Sequence, residues 1–426
     1  MPVSAPQIVL ERLHHLAGGK TLLELAAGRD DVELVGGAVR DLLLGRPPRE
    51  LDVVVGDEAP SFARDAPSFA RDLASRLGAL AGTNEHERFG TALVEWEGGR
   101  IDIATRRAES YAAPGALPDV RAGTPEEDLE RRDFTINAIA VSLSGARRGT
   151  LRHVPDALED LETGRLRVLH RQSFTDDPTR LLRMARYSAR LGFEVEGSTA
   201  TLAREAIAAG ALRTVSGARI GTELRLALGE PDAVAALAAM SELGVLGALH
   251  PRLRFEEPVA NKALALLPED GRADLALLAS LVLPLALRAD GDPHAEIIAL
   301  LDRWNFPAGD RDRVVAAACA VPRLLEELPD AARPCALRAT ALGVPLEGIA
   351  LAGALGCGEP ARRWLEQTRH VHLEITGEDL LAAGVSEGPE IGRRLEKVLK
   401  MRLDGELTGG REAELQAALE GEHGRG

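Results

Sequence analysis

The stretch from Leu34 to Val55, LVGGAVRDLLLGRPPRELDVVV, decides the fold of the first part of this chain. It predicts a strand at 33–35, a turn at Gly36 and Gly37, a helix at 38–44 and a second strand at 51–55. A glycine turn that leads into a helix brings backbone N–H groups to a point where an anion can bind. The alternative is that the glycine pair makes only a turn.

Charged residues accompany this stretch at two points. Arg40 lies one turn inside the predicted helix, where its guanidinium adds donors to a phosphate site. Glu50 and Asp52 stand at the entrance of the second strand, and residues two apart share one face of a strand. Their carboxylates suit a hard cation such as Mg²⁺, although such a pair is also typical of a solvated surface. The stretch therefore predicts a triphosphate site beside a metal site.

Composition sets the broad class of the protein. The 426 residues are 45% hydrophobic and 27% charged, which fits an ordinary chain of two to four domains. A net charge of -15 argues against indiscriminate binding to nucleic acid, although a local basic groove is compatible with it. No apolar run approaches the length of a membrane span, and residues 1–12 lack the features of a signal peptide. We expect a cytoplasmic protein without a membrane partner.

Two runs of alternating residues, Thr91 to Trp96 and Arg100 to Thr105, flank Glu97-Gly98-Gly99 and predict a β-hairpin. Asp102 lies on the second of these strands, where it is a candidate third catalytic carboxylate facing Glu50 and Asp52. An acidic residue on an edge strand without a catalytic role fits the pattern equally well.

Residues 106–128, RRAESYAAPGALPDVRAGTPEED, contain proline and glycine and predict a long loop. Loops of this length in compact domains are usually functional, so we expect a movable flap. After it, LERRDFTINAIAVSL places Arg131, Arg132, Asp133 and Asn137 on about one turn. A helix would project Asp133 and Asn137 from one face, where they suit a ribose and phosphates. A salt-bridged surface helix explains the charges equally well.

The segment SFTDDPTRLLRMARYSARLGF, residues 173–193, predicts an amphipathic helix with arginines at 180, 183 and 190 on its polar side. Asp177 and Arg180 are three apart, so both can contact one ligand. A carboxylate beside a guanidinium matches the exocyclic amine and ring nitrogen of cytosine or adenine, and it mismatches uracil and guanine. The alternative is that Asp177, before Pro178, caps the helix.

Three blocks in order, GGAVRDLLLG with its carboxylate pair, RRDFTINAIA and DDPTRLLRMARYSARLGF, resemble the class II nucleotidyltransferase family. That family comprises tRNA CCA-adding enzymes, their CC-adding and A-adding relatives, and bacterial poly(A) polymerases. Segments beginning at Ser216, Ala239 and Ile375 resemble its helical body and tail more loosely. The resemblance implies an α/β nucleotidyltransferase head, a mixed sheet with helices, followed by an all-α neck, body and tail.

The implied domains are a helical leader at 1–30, the head at 31–145, a neck with the nucleobase-templating helix at 146–215, a body at 216–330 and a tail at 331–426.

The resemblance also assigns roles to residues of this sequence. Glu50 and Asp52 would hold the catalytic Mg²⁺ ions, with Asp102 as a further catalytic candidate. Gly36, Gly37 and Arg40 would bind the triphosphate, and Asp177 and Arg180 would template the base. The full set of implied nucleotide-binding residues is Gly36, Gly37, Arg40, Arg132, Asp133, Asn137, Asp177, Arg180 and Arg183, of which Arg132, Asp133 and Asn137 would recognise the ribose.

The sequence departs from the family pattern at three places. Glu50 occupies a position that is usually aspartate, and Asp176 one that is often glutamate. Between the ribose and templating segments the family tends to show an aspartate and a glycine ahead of an Asp-Leu pair. Here His153 and Ala157 precede Asp160 and Leu161.

The activity that the resemblance implies is template-independent addition of CCA, or of only its CC or A part, to the 3′ end of tRNA. CTP and ATP would be the substrates and pyrophosphate the leaving group. Poly(A) addition is the alternative enzymatic function, and it is less favoured because the chain is acidic. A catalytically weak tRNA-end binding module is an alternative of another class, because Glu50 replaces the usual aspartate.

Overall fold

The computed structural model describes residues 6–29, 31–56, 65–78, 84–86, 90–288 and 291–420. The chain forms two compact units, one of residues 1–216 with 243–248 and the other of residues 217–242 with 249–426. The boundary after Ser216 lies within one residue of the predicted start of the helical body. The finer division into leader, head, neck, body and tail stays a prediction.

The described strands lie in the first unit. They are β1 (Glu33–Val35), β2 (Leu51–Val55), β3 (Asn84–His86), β4 (Thr91–Trp96), β5 (Gly99–Thr105), β6 (Arg107–Ser110), β7 (Asp119–Ala122), β8 (Ile139–Ser142), β9 (Leu151–His153), β10 (Arg165–Leu166) and β11 (Glu194–Val195). Five of them, β3 to β7, follow one another without an intervening helix. Seven of these described strands form one mixed sheet in the order β3-β4-β5-β2-β1-β8-β9. Within it only β2 and β5 pair in parallel. The predicted strands at 33–35 and 51–55 and the hairpin at 91–105 are confirmed.

Helices of the first unit up to residue 216 precede, separate and follow the strands. They are α1 (Pro6–His15), α2 (Gly19–Ala26), α3 (Gly37–Leu43), α4 (Asp65–Leu77), α5 (Pro125–Glu130), α6 (Ala157–Thr163), α7 (Ser173–Asp176), α8 (Thr179–Leu191) and α9 (Gly197–Ala208), with 3₁₀ turns at Thr135–Asn137, Gly145–Arg147 and Ala211–Thr214. The predicted helix after the glycine turn is α3, and the predicted templating helix is α8.

Beyond Val195 the described residues contain helices and turns, as the sequence predicted. The helices are α10 (Gly217–Leu228), α11 (Ala233–Glu242), α12 (Val245–Leu249), α13 (Glu257–Leu266), α14 (Ala273–Ala286), α15 (Pro293–Arg303), α16 (Ala308–Glu327), α17 (Pro334–Ala341), α18 (Leu346–Ala352), α19 (Gly358–Glu366), α20 (Gly377–Ala382), α21 (Pro389–Leu403) and α22 (Arg411–Leu419), with a π turn at Gly353–Cys357 and a 3₁₀ turn at Thr368–His370. No single described helix is long and apolar enough to cross a membrane, and one bent pair, Pro334–Ala341 with Leu346–His370, meets those criteria by length and composition only.

The prediction of a long loop at 106–128 was wrong. β6 and β7 pair antiparallel as a separate two-stranded ribbon, and α5 follows it. The strand sequences RAES and DVRA are polar and short, so they carry no hydrophobic alternation from which a strand is predicted. Whether this ribbon moves as a flap stays a prediction.

The helix predicted around residues 131–137 was also wrong. α5 ends at Glu130, and Phe134 adopts an extended conformation before the 3₁₀ turn. Phe134 is fully buried and forms an isolated β-bridge with Val168. Burial of this aromatic ring and its long-range pairing override the local spacing.

The N-terminal helices stabilise the helix that follows the glycine turn. The Arg12 guanidinium of α1 donates a hydrogen bond to the Leu42 carbonyl, in the last turn of α3. It also lies 3.4 Å from the position that a Cβ on Gly45 would occupy. A cation at a helix C-terminus satisfies exposed carbonyls and complements the helix dipole.

Replacing Arg12 with methionine should therefore loosen α3. We expect Arg12→Met to lower the local stability of α3 by about 1 kcal/mol. Hydrogen exchange of the α3 amides, measured by mass spectrometry, should accelerate accordingly. Lys20→Met, at an exposed side chain of α2, is the matched control and should leave these amides unchanged. Equal exchange rates in both variants would contradict a stabilising role for Arg12.

Candidate active site

Three carboxylates lie together at one position of the sheet. The parallel register of β2 and β5 places Asp52 opposite Asp102, and Glu50 precedes β2 by one residue. One oxygen from each of the three lies within 4.8 Å of the others. The sequence placed Glu50 and Asp52 on one face, and the structure brings Asp102 to the same cluster.

Within this cluster, the pKa of Asp52 is strongly changed by its surroundings. Burial and repulsion from Glu50 raise the pKa of Asp52 to about 7, although Arg132 acts in the opposite direction. Arg100 donates to both oxygens of Asp102, at 2.9 and 3.1 Å. Arg100 is a partner that the sequence analysis did not name. The sequence did contain an indication of this pair, because Arg100 and Asp102 are two residues apart on one strand and so share a face.

This cluster fits a divalent cation. Its donors are all carboxylate oxygens, the ligands that hard cations prefer. Burial first, and then the Glu50 carboxylate, raise the pKa of Asp52 to about 7, and a bound cation would favour its ionised form. Asp102 is also held by Arg100, so its contribution to a metal would require sharing or exchanging that contact.

The glycine turn lies directly beside the carboxylates. Gly36 has a φ of 71°, and a Cβ on it would lie 2.8 Å from Arg132 Nη1 and 3.7 Å from Asp52 Oδ2. A Cβ on Gly37 would lie 3.4 Å from Arg40 Nη2. The absence of a side chain thus leaves room for the Arg132 guanidinium at Gly36 and for the Arg40 guanidinium at Gly37. Gly36 also adopts the left-handed backbone conformation that favours glycine.

Arg40 is buried next to this turn, with only 2% of its surface exposed. Its Nε donates to Asp41 Oδ1 at 2.8 Å, and its Nη1 donates to Asn137 Oδ1 at 2.5 Å. The sequence predicted a donor for phosphate at this position. The structure places its guanidinium beside Gly37 and already engages it with an acidic and an amide partner.

Asp133 and Asn137 also lie in the interior. Asn137 Nδ2 donates to Asp133 Oδ1 at 2.9 Å, so the two side chains meet although no α-helix joins them. Asp133 Oδ2 accepts from Arg183 Nε at 2.8 Å. Burial alone would raise the pKa of Asp133, but Arg183 and Asn137 outweigh it and lower the pKa to about 2.

Arg132 is held by an acidic residue that the sequence analysis did not assign. Its Nη2 donates to Asp128 Oδ2 at 3.0 Å, and Arg131 donates to Asp128 Oδ1 at 2.9 Å. Although burial opposes ionisation, these two arginines lower the pKa of Asp128 to about 2. The spacing of three and four residues between the acid and the two arginines was the available signal.

The base-reading candidates lie at the start of α8. Asp177 Oδ1 accepts from the Thr179 amide at 3.0 Å and from the Thr179 hydroxyl at 2.6 Å, so it contacts the first residue of α8, whose N-cap is Pro178. Arg180 Nη2 donates to the Arg131 carbonyl at 2.9 Å. Arg180 Nη1 is buried and has no hydrogen-bond partner among the described residues. A buried donor of this kind is costly unless a ligand satisfies it.

The structure shows what the predicted polar side of α8, with Arg180, Arg183 and Arg190, faces. Arg180 is only 4% exposed, Arg183 pairs with Asp133, and Arg190 donates to Asp41 in α3. These partners are between 49 and 149 residues away in the sequence, so helical spacing alone does not reveal them.

The ribbon contributes a residue that sequence analysis missed. Glu109 on β6 accepts from Arg131 Nη1 at 3.1 Å and from the Tyr111 hydroxyl at 3.1 Å. Burial and the Glu109 carboxylate raise the pKa of Tyr111 to about 12, and Arg180 and Asp177 also act on it. The alternation of Arg107, Glu109 and Tyr111 in the sequence was the only local signal.

The fold and this site define a nucleotidyltransferase head, and comparison with known proteins agrees. Residues 32–167 match the model of the poly(A) polymerase head domain. An A-adding tRNA nucleotidyltransferase of Geobacter sulfurreducens is 33% identical over 96% of this chain, which spans 48% of that protein's length. The chain thus spans about half the length of that relative.

Two further comparisons cover nearly whole proteins. A CC-adding tRNA nucleotidyltransferase of Deinococcus radiodurans is 31% identical over 90% of this chain and 88% of its own length. The CCA-adding enzyme of Thermotoga maritima, solved in complex with tRNA, is 28% identical with a TM-score of 0.76, over 99% of this chain and all of that one. This chain belongs to the tRNA nucleotidyltransferase family.

Asp133 should stabilise the fold in a pH-dependent way. Its pKa of about 2 lies below the ordinary 3.8, so ionised Asp133 contributes stability above about pH 4 and loses it as the pH falls toward 2. We expect Asp133→Asn to be less stable than the wild type by about 2 kcal/mol at neutral pH. Urea unfolding from pH 7 to pH 3 should show this difference shrinking at the acidic end. Exposed Asp119→Asn is the control, and a difference independent of pH would contradict the assignment.

A divalent cation and a proton should compete for Asp52. Because its pKa is about 7, the affinity for Mn²⁺ should rise about tenfold per pH unit below pH 7 and level off above it. Electron paramagnetic resonance of free Mn²⁺ would measure this binding. Asp52→Asn should remove both the binding and its pH dependence, whereas exposed Asp72→Asn should keep both. Unchanged binding in Asp52→Asn would exclude this cluster as the metal site.

Proposed function

We propose that this protein adds nucleotides to the 3′ end of tRNA, using CTP and ATP and completing the CCA end or its CC or A part. The observation that carries the proposal is the placement of the acidic cluster (Glu50, Asp52 and Asp102) beside the Gly36 turn. Such a site can hold the metal and the triphosphate of one nucleotide. The relatives described above are named for A-adding, CC-adding and CCA-adding activities, which supports tRNA as the acceptor.

The acidic cluster would hold Mg²⁺ through Glu50 and Asp52, with Asp102 as the third carboxylate. Bound Mg²⁺ supplies activation of the 3′-hydroxyl and neutralises charge on the departing pyrophosphate. Glu50 is one methylene longer than the aspartate usual in the family, and its position in the cluster supports its use as a ligand.

The other residues would bind and orient the nucleotide. The turn at Gly36 and Gly37 would receive the triphosphate at the start of α3, with the Arg40 guanidinium against Gly37. The Gly36 N–H itself donates to the Ile139 carbonyl at 3.0 Å, so Gly36 would contribute space for the phosphates rather than this donor. Arg132, Asp133 and Asn137 would recognise the ribose. Because Asp133 and Asn137 are buried, their contribution includes holding Arg183 and Arg40 in place.

Base selection would use Asp177 and Arg180. The carboxylate accepts from the exocyclic amine of cytosine or adenine, and the guanidinium donates to the adjacent ring nitrogen. The unpartnered buried Nη1 of Arg180 supports this role, because a base nitrogen would satisfy it. Uracil and guanine present a carbonyl where the amine is required, so the Asp177 carboxylate would face a second acceptor instead of a donor.

Incorporation of labelled CTP and ATP onto three tRNA transcripts tests this proposal. The transcripts end before CCA, after its first C and after CC. We expect the wild type to extend at least one of them in Mg²⁺, and Asp52→Ala to lower the rate about a thousandfold or more. Arg204→Met, an exposed change on α9, is the control for general damage.

Each outcome of this assay has a distinct meaning. CTP addition followed by ATP indicates full CCA addition, and a single AMP on the CC transcript alone indicates an A-adding enzyme. Long A tails on any RNA would favour poly(A) addition instead. tRNA binding without incorporation would support a binding module and overturn the proposed activity. The cytoplasmic location stays a prediction.

A further inference from the structure

The helix after the glycine turn and the helix that carries the base-reading residues are joined by charged side chains. Asp41 of α3 is 3% exposed and accepts from Arg40 Nε at 2.8 Å through Oδ1. Its other oxygen accepts from Arg190 Nη2 of α8 at 3.1 Å. Asp41 thus binds one arginine from its own helix and one from α8.

A second connection runs through the 3₁₀ turn. Arg40 donates to Asn137, Asn137 donates to Asp133, and Asp133 accepts from Arg183 on α8. Arg183 and Arg190 are two turns apart on the helix, so α8 is attached at two separated points. Two directional attachments fix both the rotation and the translation of a helix, whereas one attachment leaves it free to pivot.

Tyr187 lies between these two attachments. Its ring is 9% exposed and has the guanidinium carbons of Arg40, Arg183 and Arg186 at 5.4, 5.8 and 4.8 Å from its centroid. The edge of Phe134 packs against it with ring centroids 5.9 Å apart. The negative face of an aromatic ring attracts cations, so this ring compensates for bringing arginines of α3 and α8 close together.

We propose that Tyr187 and Arg190 are positioning residues that fix the distance between the triphosphate turn and the base-reading pair, and thereby set nucleotide selectivity. The inference rests on the proposed function of this site. One nucleotide would be held by its phosphates at the Gly36 turn and by its base at α8. Asp177 and Arg180 would distinguish cytosine and adenine from uracil and guanine by the arrangement of hydrogen-bond donors and acceptors on the edge of the base. A shift of α8 relative to the turn would therefore relax selectivity before it abolished binding.

A purely structural role for these residues predicts a different result. Loss of packing alone would lower stability and scale the rates for all four nucleotides together. A positioning role instead changes the ratio of kcat/KM for the preferred nucleotide to that for the others. This ratio is independent of how much of the enzyme is folded, so it separates the two explanations.

The test compares paired substitutions at Tyr187. Tyr187→Phe keeps the ring face and loses only the hydroxyl contact to Arg183, so its selectivity should stay within about twofold of the wild type. Tyr187→Leu removes the ring face, and the ratio of kcat/KM for the preferred nucleotide to UTP and GTP should fall about tenfold. Single-turnover incorporation on the tRNA transcripts measures the selectivity of both variants. Thermal unfolding of the same samples measures their stability.

Arg190 and Asp41 provide an independent variant pair in case Tyr187→Leu fails to fold. Arg190→Met and Asp41→Asn should each relax selectivity, and Asp41→Asn should have the larger effect because it also alters the contact with Arg40. The double variant should be no worse than Asp41→Asn alone, because both changes break the same Arg190–Asp41 contact. Arg190→Lys should recover part of the loss. Arg204→Met on α9 is the matched control and should keep wild-type selectivity.

Wild-type ratios in Tyr187→Leu or Arg190→Met, with only the thermal midpoint lowered, would overturn the positioning role while leaving the proposed function intact. Absence of incorporation by the wild type itself would overturn the proposed function and this inference with it.

Discussion

The missing side chain at Gly36 is the constraint on which the candidate site depends. The turn must reverse from β1 into α3 with a φ of 71°, and Arg132 Nη1 lies within 2.8 Å of where a Cβ would stand. Asp52 Oδ2 lies only 3.7 Å from the same point. Any larger residue would both strain the backbone and separate the cationic segment after α5 from the carboxylates on the sheet. Glycine thus allows a strand end, a helix start, an arginine and an acid to share one location.

The charge pattern around this point explains how an acidic protein can offer a nucleotide site. Overall net charge is -15, but Arg132 and Arg40 lie against Gly36 and Gly37, and Arg180 is buried at the start of α8. Buried acids such as Asp128 and Asp133 stay ionised because their arginine partners lower their pKa values to about 2. Asp52, in contrast, has a pKa raised to about 7, so negative charge is least compensated where a cation is needed. Local pairing, rather than net charge, determines the chemistry of the site.

Local sequence patterns predicted those parts of the fold whose signals are local. The β1-turn-α3-β2 unit carries its glycine pair and β-branched strand within one stretch, and the hairpin at 91–105 alternates around a glycine turn. The carboxylate cluster followed from the face shared by Glu50 and Asp52, but the placement of Asp102 needed the parallel pairing of β2 and β5, which spacing does not encode.

The helix prediction at 131–137 was wrong because contacts between residues distant in the sequence determine the backbone there. The helix predicted at 131–137 and the observed 3₁₀ turn both bring Asp133 to Asn137, so an i, i+4 spacing could not distinguish them. The β-bridge between Phe134 and Val168 requires an extended backbone at Phe134, which excludes the helix and favours the 3₁₀ turn. The arginines of α8 have the predicted spacing of a polar face, and that face packs on α3 and on the residues after α5. Amphipathicity identifies the polar side of a helix but does not tell whether water or another charged surface covers it.

Burying the charged side of α8 against protein costs desolvation free energy, and what these charged contacts provide in return is a fixed orientation of the helix. Apolar side chains would join α8 to the head with more stability, because burying paired charges repays little of their desolvation. Apolar contacts, however, tolerate sliding and rotation, whereas a guanidinium bound to a carboxylate holds a narrow range of distances and angles. A protein that distinguishes bases with its own side chains requires that narrow range. Attachments at Arg183 and Arg190, with the Tyr187 ring between them, favour orientation over stability at the one helix where orientation would determine which nucleotide is accepted.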